Sequence, residues 1–196
     1  MRAVVSHAAG PPESLVVEDV PVPEPGAGEV QVKVRAAAVN FPDVLLVADG
    51  YQVPVPRPFV PGSELAGEVM AVGADVTSVR PGDLVVGTTM TGAFAEVVVL
   101  PAAAVSRLPA GADLRAAAGF LVAYTTAYHA LRTAGVTAGE SVLVLGAAGG
   151  VGLACVDLAH EQGARVVAAA SSQAKLAHCR GADALVDYGS APLREA

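Results

Sequence analysis

Aromatic side chains make up only 4% of the 196 residues and tryptophan is absent, while hydrophobic types reach 53%. The core must therefore be built of valine, alanine and leucine. Cysteine is scarce too: Cys155 and Cys179 are the only two. Both fall in helical patterns and read as buried small hydrophobes, so a soluble cytoplasmic protein with free thiols is the expectation. Basic residues number 12 against 19 acidic, a net charge of −7. No Lys/Arg cluster occurs, which argues against nucleic acid as the main ligand. No uninterrupted apolar run is long enough to span a bilayer. The opening Met1-Arg-Ala-Val-Val5 reads as a strand, without the charged-then-apolar layout of a secretory signal. Glycine and proline, by contrast, are plentiful at 21 and 14, and turns at that density mark a strand-rich protein. The length allows one large domain or two small ones.

The chain is organised around Ser141 to Gly152, S-V-L-V-L-G-A-A-G-G-V-G. Val142 to Leu145 form a continuous apolar run, the mark of a parallel strand covered by helices on both faces. Val151, Ala154, Cys155 and Leu158 then recur at helical spacing until Gly163 stops the pattern. A strand, a glycine turn and a helix follow one another, and the free amides and dipole at such a helix start attract an anion. Gly149 and Gly150 let a pyrophosphate approach the backbone, and Gly152 lets the helix lie close to the strand. The G-x-G-x-x-G fingerprint is degenerate, with Ala147 in its first position, Gly149 and Gly152 in the others, and an extra Gly146 in front. A second apolar run, Ala164 to Ala170, follows at the distance a βαβ unit requires, which favours nucleotide binding over an ordinary turn.

Residues 1 to about 112 read as short strands and turns. Arg2–Val5 and Leu15–Val20 pair across Gly10-Pro-Pro12, and three prolines make residues 21–26 a stiff connector. Glu29 to Ala36 alternates, with Val30, Val32 and Val34 inward and Gln31, Lys33 and Arg35 outward. Asn40 and Asp43 flank Phe-Pro before a short helical pattern, Val44 to Val47, and Asp49-Gly50 turns to present Tyr51. Spacing alone prefers to read Asn40 and Asp43 as turn and cap residues. Gly62 and Gly67 read as close-approach positions, and Glu64 as either an ion-pairing core carboxylate or a site residue. Further strands are expected at 84–87 and at Ala93–Leu100. From Leu114 the period becomes helical, and Arg115 to Arg132 should form one or two buried helices. The boundary therefore falls near 112 to 120, dividing the chain into 1–115 and 116–196.

Val39-Asn-Phe-Pro-Asp43, Gly50-Tyr51, Pro61-Gly-Ser-Glu-Leu-Ala-Gly67, Pro81-Gly-Asp83, Tyr124-Thr-Thr-Ala-Tyr-His-Ala130 and Gly146-Ala-Ala-Gly-Gly-Val-Gly152 stand in one register. In that register the chain resembles the zinc-free quinone oxidoreductase (zeta-crystallin-like) branch of the medium-chain dehydrogenase/reductases. The resemblance implies an α/β protein: a chaperonin-10-like β-barrel domain, then a partial Rossmann domain holding the first three parallel strands, the last at Ala184 to Tyr188. The chain would then be C-terminally truncated, its first Rossmann strand presenting an unpaired edge to be covered by a partner copy, another fragment or aggregation, and a homo-oligomer, a dimer, is expected. The segment from Lys175 to Gly181 looks shortened, so its helix should be clipped or irregular. Zinc-binding relatives carry Cys where this chain has Asn40 and His where it has Ser63, so no metal is expected, and His7, His129, His160 and His178 show no paired ligand spacing.

NAD-selecting relatives place an acidic residue after the second strand. Ser171, Ser172 and Lys175 stand there instead and can donate to a 2′-phosphate, which selects NADPH; Ser171 as a helix cap and Lys175 as a solvated charge are the plainer readings. The cofactor would contact Gly146, Ala147, Ala148, Gly149, Gly150, Val151 and Gly152. Thr126 matches a position near the nicotinamide carboxamide, or else bonds its own preceding turn. Asn40 and Tyr51 would border the nicotinamide and the substrate oxygen, with Tyr51 either a proton donor or a partly buried phenol. The implied activity is metal-free hydride transfer from NADPH to a quinone or enone. A non-catalytic nucleotide-binding relative and an enoyl-thioester reductase are the alternatives.

Overall fold

A computed structural model describes residues 1–190. The chain divides into two units, Met1–Leu121 and Val122–Ala196, each with its own core.

In the first unit β1 (Arg2–Val5) and β2 (Val16–Asp19) pair antiparallel across a single 3-10 turn at Pro12–Ser14. There follow β3 (Glu29–Ala38), α1 (Phe41–Val47), β4 (Glu64–Val72), β5 (Leu84–Thr88), β6 (Val97–Pro101), β7 (Val105–Arg107) and α2 (Leu114–Ala118). The last five strands make one antiparallel sheet in the order β6-β3-β4-β5-β7, and α2 lies against β3, β4 and β5. The core is aliphatic, as the composition requires: Val30, Val32, Leu65, Val85 and Leu100 are wholly buried. A Cβ on Gly67 would fall on the Lys33 carbonyl, so β4 approaches β3 too closely there for any larger residue.

Two expectations for this unit need correcting, and one strand is not legible in the sequence. Gln31 is not outward: it is 9% exposed, because the proline-rich connector lies over it and the Pro23 carbonyl accepts from its Nε2 at 2.6 Å. The strand expected at Ala93–Leu100 begins only at Val97, since residues 92–94 instead turn back to hydrogen-bond Val60, Gly62 and Pro61. β7, three residues long, has no period to read.

The second unit opens in α3 (Leu121–Ala134), then alternates β8 (Ser141–Leu145), α4 (Gly150–Glu161), β9 (Arg165–Ala170), α5 (Gln173–Leu176) and β10 (Ala184–Asp187). Its strands are parallel and ordered β10-β9-β8, the partial Rossmann sheet expected. α5 is the clipped helix, a single turn ended by the Ala177–Gly181 turns. The strand β8 is not covered on both faces. Val144, Val166, Ala168 and Ala170 pack with Val156, Ala159, Leu176 and Leu131 of the helices, whereas Leu143 and Leu145 stay 52% and 60% exposed. Strand order advances steadily in one direction, and successive right-handed crossovers then lay α4 and α5 on the same side of the sheet. α3 is likewise less buried than its composition suggested: only Ala127 and Leu131 are buried, and Tyr128 is 53% exposed.

Candidate functional site

Two groups of residues carry the predicted chemistry, one in each unit. In the second, β8 runs into Gly146, which takes a positive φ of 63° that an L-residue side chain disfavours. The Ala147 N–H donates to the Ala169 carbonyl at 3.0 Å, tying the turn to the neighbouring strand. Gly149 is the N-cap of α4, its N–H donating back to the Gly146 carbonyl at 3.0 Å. A Cβ on Gly152 would overlap the Gly146 carbonyl and the Ala147 backbone, so glycine is what lets α4 start this close to β8. The leading amides of α4 are left without helical partners.

This turn opens on a pocket of about 170 Å³ lined by Gly146, Ala148, Gly149, Ala170, Ser171, Lys175 and Tyr188. Lys175 Nζ donates to Ser171 Oγ at 2.9 Å. The cap role considered for Ser171 falls to Ser172 instead, whose Oγ accepts from the Lys175 N–H at 3.4 Å. Ser171 is thereby free to face the pocket with the ammonium beside it. Tyr188 had been read only as the end of the third strand. Its N–H donates to the Ala170 carbonyl at 3.1 Å, which fixes it at the carboxyl edge of the sheet, and that position was the signal available. Asp187, one residue before Tyr188, accepts at Oδ1 from the Gly189 N–H at 3.0 Å. Val151 is exposed in the first turn of α4.

Thr126 lies exposed on α3. The start of that helix abuts the start of α4, for a Cβ on Gly150 would stand 4.0 Å from that of Ala123. Tyr124 braces the two helices by donating its hydroxyl to Asp157 Oδ2 at 2.8 Å. That hydrogen bond to the carboxylate is the main cause that pushes the Tyr124 phenol above its ordinary value, with burial adding to it.

In the first unit Asn40 and Asp43 form a capping box over α1, the Asn40 N–H donating to Asp43 Oδ2 at 2.7 Å. The plainer reading of these two as caps therefore holds, but it does not exhaust Asn40. Its side-chain Nδ2 donates to Glu64 Oε2 at 3.2 Å, and Glu64 is fully buried at the first position of β4. Tyr51 stands beyond the other end of α1, half-buried after Asp49 (φ 60°) and Gly50. Among the described residues its hydroxyl has no hydrogen-bond partner. Arg57, which no local pattern marked, holds this turn: Nη2 donates to the Leu46 and Val47 carbonyls at 3.1 and 3.0 Å, and Nη1 to Asp49 Oδ1 at 3.3 Å. Among the described residues no three His, Cys, Asp or Glu gather as a metal would need, and no helix is long and apolar enough to cross a membrane. A groove of about 450 Å³ in the same unit, lined by Val17, Val34 and Phe94 and by Arg2 and Glu96, holds none of the predicted site residues.

An antiparallel β unit followed by a βαβαβ unit with a glycine turn is the element order expected of a medium-chain dehydrogenase/reductase. Residues 26–110 match the alcohol dehydrogenase GroES-like domain. The chain is 41% identical over 192 residues to the quinone oxidoreductase-like protein 2 homolog of Nematostella vectensis, covering 95% of this chain and 52% of that protein. It is 47% identical over 161 residues to erythronolide synthase EryA2 of Saccharopolyspora erythraea, covering 81% of this chain and 4% of that one. Among solved structures, the quinone oxidoreductase of Thermus thermophilus, described with its NADPH complex, superposes with a TM-score of 0.87 at 38% identity, over 99% of this chain and 62% of the other. The chain belongs to the quinone oxidoreductase-like branch of that superfamily. It spans about half the length of the quinone oxidoreductase-like relatives it matches.

Proposed function

We propose that this chain carries the NADPH-binding and substrate-contacting residues of a cytoplasmic, metal-independent oxidoreductase that reduces quinones or other α,β-unsaturated carbonyl compounds, working as a homodimer. The observation that carries the reading is the Ser171–Lys175 pair on the rim of the glycine-turn pocket. The pocket fits a dinucleotide's adenosine half: Gly146 leaves open space in front of its backbone and Gly149 caps α4 without a side chain. A 2′-phosphate beside Ser171 would take charge-assisted hydrogen bonds from Lys175, and the stretch Ser171 to Lys175 holds no acidic residue to repel it. When bound, NADPH supplies the hydride.

The chain's own residues do the rest. Gly146 to Gly152 hold the pyrophosphate, Ala147 keeping the turn against β9, and Thr126 lies along α3 for the carboxamide. Asn40 offers amide hydrogen bonds to the nicotinamide or to the substrate oxygen. Tyr51, with a hydroxyl that nothing in the described chain engages, holds the proton that the reduced substrate requires.

Calorimetry with NADPH, NADH and 2′,5′-ADP, alongside NADPH oxidation with 9,10-phenanthrenequinone, tests this reading. NADPH bound well ahead of NADH, with quinone-dependent oxidation, supports it; NADH bound as tightly as NADPH refutes the cofactor assignment. Binding of both NADPH and 2′,5′-ADP without turnover would identify a nucleotide-binding relative that does no chemistry. Reduction of enoyl thioesters is the second reading, favoured by the likeness to a stretch of a synthase. Faster turnover of crotonyl thioester than of the quinone would select it.

A further inference from the structure

We propose that Glu64 is a positioning residue for Asn40, holding its side-chain amide in a single orientation so that the N–H left over meets a ligand already aligned. This rests on the reading of Asn40 as a ligand-contacting residue. Glu64 is fully buried and lies in the middle of the sheet, in register with Ala38 of β3 and Thr88 of β5. An aliphatic residue would pack at such a position at less desolvation cost than a carboxyl group, which is kept there only with partners. One partner is Asn40 Nδ2 at 3.2 Å, reached across 24 residues of sequence. The two ends of an asparagine amide are nearly equal in shape, but only the NH₂ end can donate to a carboxylate oxygen. Glu64 therefore selects the flip in which Oδ1 faces the Asp43 N–H of the capping box, and it leaves the second N–H of Asn40 for other use.

The backbone of Asn40 is held separately, its N–H by Asp43 Oδ2 at 2.7 Å and its carbonyl by the Asp43 N–H at 3.0 Å. Asp43 thus holds the main chain and the oxygen end of the amide, and Glu64 holds its NH₂ end. A corner serving only to fasten α1 to β4 would leave no polar atom spare, yet Asp43 Oδ1 and Ser63 Oγ are both buried there without a hydrogen-bond partner among the described residues. Spare buried acceptors and donors beside an oriented amide are what a ligand's polar groups, or the water that precedes them, would satisfy.

Glu64→Gln keeps an acceptor at this place, and Glu64→Met keeps length without one. Proton exchange of the Asn40 side-chain amide, read by ¹⁵N NMR on the full chain, should be slow in the wild type and in E64Q and roughly tenfold faster in E64M. Exchange in the wild type as fast as that of an exposed asparagine, or unchanged in E64M, overturns the proposal. In NADPH oxidation with 9,10-phenanthrenequinone, E64M should lower kcat roughly 10- to 100-fold, as loss of alignment does. KM for NADPH and the Tm of E64Q should stay near wild type. N40A/E64M should be no slower than N40A, and additive losses would overturn the proposal. In a protein without turnover the same cycle is read in the calorimetric Kd for the quinone. Full activity in N40A removes the reading of Asn40 and this inference with it; a loss in N40A with none in E64M removes the inference alone.

Discussion

Replacing Lys175 with alanine removes the one ammonium on the rim of the glycine-turn pocket while leaving the turn itself intact. The side chain is solvent-exposed, so its attraction to a 2′-phosphate is that of a screened pair, about 1 kcal/mol at 4 Å in water-like surroundings. Charge-assisted hydrogen bonds raise this, since bonds to ionised groups contribute about 1.5–3 kcal/mol when sheltered. For a rim position about 1–2 kcal/mol is the reasonable range, which at 1.4 kcal/mol per tenfold is a weakening of roughly 5- to 30-fold. The whole loss should fall on ligands with the 2′-phosphate. Calorimetric titration with 2′,5′-ADP and with NADPH should show it, titration with NADH should not, and the gap should narrow as salt is raised toward 1 M, where the screening length is about 3 Å. Equal losses for NADPH and NADH, or none for either, would refute the reasoning, because Lys175 would then be acting on α5 or on solvent alone.

Gly152→Val should destabilise by about 1–3 kcal/mol, as overpacking against an unyielding backbone does, and abolish 2′,5′-ADP binding, both read by thermal unfolding with and without ligand. Arg57→Ala strips the Leu46 and Val47 carbonyls and Asp49 of their donor, and a loss of about 2–3 kcal/mol in urea unfolding is expected from hydrogen bonds to a charged group, with Arg57→Lys recovering part of it. Tyr51→Phe should leave NADPH affinity unchanged and lower quinone turnover by roughly 100-fold or more if its phenol is the proton donor, and undiminished turnover would return it to a packing role. Tyr124 is held neutral in the fold by Asp157, its value raised above 10.0, so its contribution to stability is complete below pH 10 and is lost as pH rises through the folded value. Tyr124→Phe should accordingly flatten the fall in Tm as pH rises above about 10, and a fall identical to wild type would show that the Tyr124–Asp157 bond contributes nothing.

Local signals in the sequence placed most elements. The strand, glycine turn and helix at 141–163 fell where the apolar run and the glycines put them, and Ala184 to Asp187 formed the third parallel strand. What went astray depended on cover from elsewhere in the chain. Gln31 alternates as a solvent residue should, and only the connector lying over it makes it buried. Leu143 and Leu145 belong to a run that looks buried on both sides, but burial on the second side depends on which way strand order advances, and period says nothing about that.

The same division runs through the candidate site. Residues whose role depends on their own backbone were readable one at a time: Gly149 because a pyrophosphate must approach it, Gly152 because the helix must lie close to the strand, Asp43 because it lies three residues from the cap it completes. Tyr188, Arg57 and Glu64 share a different property, for each acts on a segment distant from its own neighbours in sequence. Tyr188 is tied to Ala170, Arg57 reaches back 10 and 11 residues to Val47 and Leu46, and Glu64 meets Asn40 across the sheet. Such residues leave no spacing to detect, because the distance along the chain is set by loop length and carries no period. They can still be anticipated from chemistry: an arginine beside a short helix end, or a glutamate inside an apolar strand, is costly to bury and has to find a partner. An unexplained polar residue within an otherwise aliphatic run is therefore the place to look for the second half of a site whose first half is already legible.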